Sequence, residues 1–177
     1  VVNATSAARG QPAPADLEQV RDLLNTWLVP NDTRRSTDRF EDYARERRLR
    51  GADRQAVQDL RDDLRRAVEG ARDADGLLTA WLRRLGVRAR VEGGRIGFDH
   101  AAGPAGALFA PVLAALHDGT WPRLKACPDC RWVFYDHTRN ASRRWCLMTS
   151  AGSGGRSCGT IAKVRRHRAR QRATGTD

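Results

Sequence analysis

Acidic residues nearly vanish from the last third of this sequence, cysteine is missing outside one short window, and no apolar run is long. Each absence excludes something. The longest mostly apolar stretch, GALFAPVLAAL at 106–116, contains Pro111 and is too short to span a bilayer. The opening VVNATSAARGQPAPAD lacks a charged start followed by an apolar segment, so it does not read as a secretory signal. The cytoplasm is then the expected address, and disulfides are not expected there. A chain of 177 residues can bury a real core without them. No phosphate loop, nucleophile motif or paired metal-binding carboxylates occur, and His100 and His117 stand alone in sequence. An enzyme is therefore not expected.

What is abundant is arginine, and it is unevenly placed. Lysine occurs only at Lys125 and Lys163 among 32 basic residues. Residues 1–120 hold 19 basic and 18 acidic side chains, whereas residues 121–177 hold 13 basic and 3 acidic ones. Nearly all of the net charge of +11 thus sits in the last third. Guanidinium forks bind phosphates and guanine edges bidentately, so a polyanion, nucleic acid above all, is the expected partner.

The hydrophobic pattern predicts an α+β fold that is mostly α. LEQVRDLLNTWL has helical spacing at 17, 20, 23, 24, 27 and 28, with Asp16 as N-cap, and VPND at 29–32 ends it. A second helix is expected from Ser36 to Leu49. A third, at 52–71, carries a stripe at 56, 57, 60, 64, 67 and 68, and its Asp–Arg neighbours read as a solvated, self-compensated face. GLLTAWLRRL at 76–85 stops at Gly86 in C-cap position. VRARV and RIGF around EGG then read as a β-hairpin, and AAGPAGALFAPVLAALHDG as a helix broken or kinked near Pro111. Asn25, Thr26 and Trp27 read as a polar helix edge and a core tryptophan. The expected organisation is a disordered lead-in at 1–14, a helical domain at 15–122, a small module at 123–172 and a tail at 173–177.

All four cysteines fall within residues 127–158, spaced as C-x2-C, then 15 residues, then a cysteine, then 11 residues to the last. The CPDC knuckle aims Cys127 and Cys130 at one point. WVFY is strand-like, RNASRRWC reads as a basic helical stretch returning Cys146, and Cys158 opens the last helix. Knuckle, strand and helix returning ligands is the pattern of a small zinc module, with disulfide or iron–sulfur as the alternatives. His137 and His167 are the reserve ligands should Cys158 not reach. Four protein sulfurs leave no open coordination position, so the zinc is structural. Trp132, Phe134 and Trp145 read as module core.

Around the metal lie two basic clusters. Arg139, Asn140, Arg143 and Arg144 form the first, with Arg139, Asn140 or Arg143 placed to read base edges. Lys163, Arg165, Arg166, Arg168 and Arg170 line the final helix, with Ile161 and Val164 facing inward. These residues are the expected nucleic-acid contacts.

CPDCRWVFYDHTRNASRRWC resembles the CGNR-type zinc finger, whose pattern runs C-x2-C, W-[LF]-F-x-D, R-N-x-S-R-R-W-C and then C-G-N-R-x-K-x-R-R-H-R. The matching residues are Cys127, Cys130, Trp132, Phe134, Asp136, Arg139, Asn140, Ser142, Arg143, Arg144, Trp145 and Cys146. Cys158, Gly159, Lys163, Arg165, Arg166, His167 and Arg168 follow. LLNTW through VRARVEGGRIGFD looks like the ABATE-type helical domain that accompanies this finger. The resemblance implies a DNA-binding transcription regulator linked to stress responses. Two departures stand out: Thr160 and Ile161 replace Asn and Arg of the signature, and SAGSGGRS lengthens the last gap. Where the replaced side chains contact bases in relatives, specificity is expected to be retuned or lost. The expected partner is duplex DNA, bound by a homodimer or monomer whose helical domain senses a small-molecule effector or mediates dimerisation. The alternative is an RNA- or protein-interaction module with purely structural zinc.

Overall fold

The computed structural model describes residues 11–14, 16–30, 33–147 and 157–174. The lead-in at 1–10, most of the SAGSGGRS insertion and the end of the tail lie outside them. Among the described residues six α-helices alternate with three two-stranded antiparallel sheets, an α+β architecture dominated by helix. No helix among them is long and apolar enough to cross a membrane.

Helix α1 (Leu17–Leu24) buries Val20, Leu23 and Leu24 completely, following its helical stripe. Asp16 precedes it, but its carboxylate caps no backbone N–H. The expected second helix is shorter than the sequence suggests. Strand β1 (Trp27–Leu28) pairs with β2 (Thr37–Asp38), and only then does α2 (Phe40–Glu46) begin. The Asp38 carboxylate accepts the Phe40 N–H at 2.9 Å, and such a local side-chain turn holds the preceding residues out of a helix.

Helix α3 (Gly51–Val68) buries Val57, Leu60 and Leu64, and α4 (Ala74–Arg84) buries Leu78 and Trp81. Gly86 follows α4 at φ +56°, the left-handed end that glycine adopts without strain. Strands β3 (Arg88–Glu92) and β4 (Arg95–Asp99) form the expected hairpin around Gly93 and Gly94, both at positive φ. Helix α5 (Pro104–His117) runs through Pro111 without a break. Phe109 before the proline and Val112 and Leu113 after it are all buried in one core, and that packing holds the two halves together.

Strands β5 (Leu124–Ala126) and β6 (Val133–Tyr135) carry the architecture's main consequence. Their alternating side chains divide between two cores. Leu124, Val133 and Tyr135 join the large core of α1, α3, α4 and α5. Phe134 faces the other way and packs with Trp132 and the four cysteines. The last helix, α6 (Cys158–Thr174), starts at that second cluster.

Candidate metal centre

The knuckle closes the β5–β6 hairpin. Cys127 N–H donates to Trp132 O at 2.8 Å, and Arg131 N–H donates back to Cys127 O at 2.9 Å. Arg131 takes a left-handed φ of +61° to complete the turn. This places Cys127 and Cys130 side by side, and the remaining thiols come to meet them. The Sγ of Cys146 lies 3.4 Å from that of Cys130 and 3.5 Å from that of Cys158. All four Sγ atoms lie within 4.8 Å of one another, and all four residues are buried.

The donor set fits one zinc ion. Bonds of about 2.3 Å in a tetrahedron put sulfurs about 3.8 Å apart, close to the spacing here. All four cysteines are free rather than disulfide-linked. Hydrogen bonds from Cys130, Cys146 and Cys158 hold the Cys127 thiol far below its ordinary range, while donation to Cys127 pushes Cys130 and Cys146 up. Four thiols this close cannot all ionise on their own, and a divalent cation at their centre lets them do so. The reserve ligands are elsewhere: His137 Nε2 bonds Pro12 O at 2.8 Å at the surface, and His167 is exposed on α6. Cys158 is the fourth sulfur.

The RNASRRWC segment is not the helix its sequence suggested. Residues 139–146 form a loop wrapped around Asp136, which is fully buried. Asp136 Oδ1 accepts from Thr138 N at 2.9 Å and Thr138 Oγ1 at 2.6 Å. Its Oδ2 accepts from Lys125 Nζ at 2.8 Å and Arg143 N at 2.7 Å. Lys125 also donates to the carbonyls of Ala141 and Arg143. One lysine gathers carbonyls and one aspartate gathers N–H groups, which satisfies the loop backbone without helix.

Burial opposes the Asp136 charge, but Lys125, the Thr138 and Arg143 donors together hold the carboxyl well below its usual range. A depressed folded-state value means this contribution is complete above the ordinary carboxylate pKa of about 3.9 and is lost progressively as pH falls from there through the lower folded-state value. Asp136→Asn would turn an amide N–H toward at least one of these donors. We expect it to cost about 3 kcal/mol at neutral pH, with a smaller loss of stability on acidification than wild type, measured by urea unfolding across pH.

Arg143 was expected to read bases, and the structure turns it inward. Its Nε donates to Trp145 O at 2.9 Å, another guanidinium N–H bonds Cys146 O, and the group lies 5.2 Å from the Phe134 ring centre. It positions the third cysteine. Arg139, Asn140 and Arg144 are exposed on the same loop. On α6, Ser157 Oγ accepts Thr160 N–H at 3.1 Å and its carbonyl accepts Ile161 N–H at 3.0 Å, capping the helix. The Thr160 hydroxyl, at one of the two signature departures, also bonds Ser157 Oγ, at 2.9 Å. Val164 does not face inward but is 43% exposed. Every residue from Lys163 to Arg168 is exposed, because only the first turn of α6 is seated against the cysteine cluster. Arg165 Nη1 nonetheless bonds the buried Asp129 of the knuckle at 2.9 Å. The Arg170 side chain lies outside the described residues.

Sequence reasoning missed the junction with the helical domain. Asn25, read as a helix edge, is buried and acts as a strand partner: its Nδ2 donates to Val133 O at 2.9 Å, and its Oδ1 accepts Val133 N–H at 2.7 Å. Val29 N–H donates to Cys130 O at 3.0 Å. Arg61 and Arg65, assigned to a solvated face of α3, are buried. Arg61 bonds Asp38 at 2.7 Å and Thr26 Oγ1 at 3.3 Å, and Arg65 bonds the Leu24, Trp27 and Arg131 carbonyls. An arginine at helical spacing with apolar residues is the only signal the sequence held for this.

Comparison with known proteins agrees with the geometry. No curated protein matches the chain. Residues 123–171 match the family model of the CGNR zinc finger, and the four buried cysteines within that span form a structural zinc site.

Proposed function

We propose that this protein is a cytoplasmic DNA-binding transcription regulator, not an enzyme, whose zinc module docks on duplex DNA. The observation that carries the reading is the run Lys163–Arg168, wholly exposed on a helix anchored at its first residue by the metal cluster. Lys163, Arg166 and Arg168 make no ion pair among the described residues, and neither do Arg139 and Arg144. Both segments leave the same centre, since Cys146 ends the loop and Cys158 starts the helix with their Sγ atoms 3.5 Å apart. Cations held apart from carboxylates are available to phosphates, and Asn140 and Arg139 add groups able to address base edges. Arg143 is left out of the contact set because its guanidinium serves the loop.

Enrichment of random duplex DNA on the zinc-loaded protein tests the reading, with structured RNA as competitor. A reproducible motif supports sequence readout. Preference for RNA, or binding without any motif, favours the RNA or nonspecific alternative, in keeping with Thr160 and Ile161 at the signature positions. Arg166→Ala together with Arg168→Ala is expected to lower the slope of log affinity against log salt by about 1 to 2, without changing thermal stability. An unchanged slope would remove α6 from the interface.

A further inference from the structure

In the β3–β4 hairpin all of β3 and the tip half of β4 are exposed, while Phe98 is packed against the core. Val91 and Ile96 form a cross-strand pair near the hairpin tip and are 78% and 52% exposed, the two most exposed large apolar side chains among the described residues. They share a face with Ala89 and Phe98, the next apolar pair. Phe98 packs edge-on against His117, at 5.9 Å between ring centres, beside Leu116, which is itself 38% exposed. An apolar strip thus runs from the hairpin tip to the end of α5.

The backbone of β4 is also incomplete. The two-residue loop Gly93–Gly94 makes Glu92 and Arg95 a hydrogen-bonded pair, so Arg90 with Gly97 and Arg88 with Asp99 are hydrogen-bonded as well. Ile96 and Phe98 therefore direct their N–H and C=O groups to the outer edge of a two-stranded sheet.

We propose that this edge pairs with a second copy of the chain, β4 against β4, antiparallel about Gly97. The sequence R-I-G-F-D at 95–99 is complementary to itself in that register. Arg95 of one copy lies opposite Asp99 of the other, Ile96 opposite Phe98, and Gly97 opposite Gly97. Ile96 and Phe98 exchange their outward hydrogen bonds, and the tip of each hairpin covers the Phe98–Leu116 end of the other copy. Arg95 makes no ion pair within its own chain among the described residues, and Asp99, whose Oδ1 already accepts from Arg90 Nε at 2.9 Å, offers its other oxygen to the second copy's Arg95. The other edge does not fit: β3 paired with itself would centre on Arg90 against Arg90. The dimer stands on the hairpin alone and does not depend on what the zinc module binds.

Sedimentation of the full zinc-loaded chain over a range of concentrations tests this. We expect a reversible dimer whose dissociation constant rises about tenfold in Arg95→Asp, because two attractive pairs become two repulsive ones. Ile96→Lys should act in the same direction. Gly97→Cys, which has only ordinary contacts with the Arg90 side chain around its new Cβ, should give a disulfide-linked dimer under mild oxidation, and Arg88→Cys on the far strand should not. A monomer at every concentration overturns the proposal. So does a dimer indifferent to Arg95→Asp, or equal cross-linking at positions 88 and 97.

Discussion

Arg65→Met should lower the thermal midpoint by about 10 °C and hasten zinc loss, although Arg65 touches no ligand. Its Nη1 donates to Leu24 O at 2.6 Å and Trp27 O at 3.0 Å, closing the end of α1. Its Nη2 donates to Glu69 at 2.7 Å and to Arg131 O at 3.0 Å, one residue past the second cysteine. The guanidinium also lies 4.5 Å from the Trp27 ring centre. Burial lowers the Arg65 pKa and Glu69 opposes that shift, but an arginine remains charged at any physiological pH. Methionine would fill much of the same space and leave three carbonyls and a carboxylate without their donor. Breaking a buried charge pair costs about 3–5 kcal/mol, and each kcal/mol moves the midpoint about 2–4 °C in a chain of this size. Arg65→Lys should fall between, because a single ammonium cannot face both sides of the junction as the planar fork does. Calorimetry and zinc transfer to a chromogenic chelator would be read together. A wild-type midpoint in the methionine variant would mean that the junction contributes nothing to stability.

That junction marks the limit of what the sequence made legible. Cys127, Cys130, Cys146 and Cys158 could be assigned from spacing because thiols have few other reasons to cluster, and the structure brings them together. The β3–β4 hairpin was legible because alternation and Gly93–Gly94 are local signals. Long-range pairings were not. Asn25 meets Val133 across 108 residues, and nothing near either one announces it. Arg65 and Arg61 read as surface because charge normally belongs there, yet the outcome depended on distant partners: the Leu24, Trp27 and Arg131 carbonyls for Arg65, and Thr26 and Asp38 for Arg61. Asp136 shows the same effect in miniature. RNASRRWC has acceptable helix formers, but a buried carboxylate and Lys125 offer its backbone better partners than a helix would.

Stripping the zinc should be the larger perturbation, and its effect should not stop at the module. A strong chelator, or Cys146→Ser, takes away the centre that joins the knuckle, the Asp136 loop and the first turn of α6. Structural zinc contributes about 10–16 kcal/mol of apparent binding energy in isolated fingers, far more than the second core supplies by itself. The helical signal of α6 is therefore expected to disappear, since its exposed stretch makes no core contacts that would hold it. The β5–β6 hairpin links this loss to the rest. Leu124, Val133 and Tyr135 lie in the large core, and loosening the knuckle loosens the strands that carry them. The helical domain should then melt at a lower temperature than in the zinc-loaded protein, by about 10 °C for 3–5 kcal/mol of lost packing. Titrating one equivalent of zinc back should restore both signals together. If α6 melted while the helical domain kept its midpoint, the two cores would be energetically independent despite sharing a hairpin. If both fell and recovered in step, the metal would be the keystone of a single folding unit, and the surface presented by α6 would be stable only when the helical domain beneath it is folded.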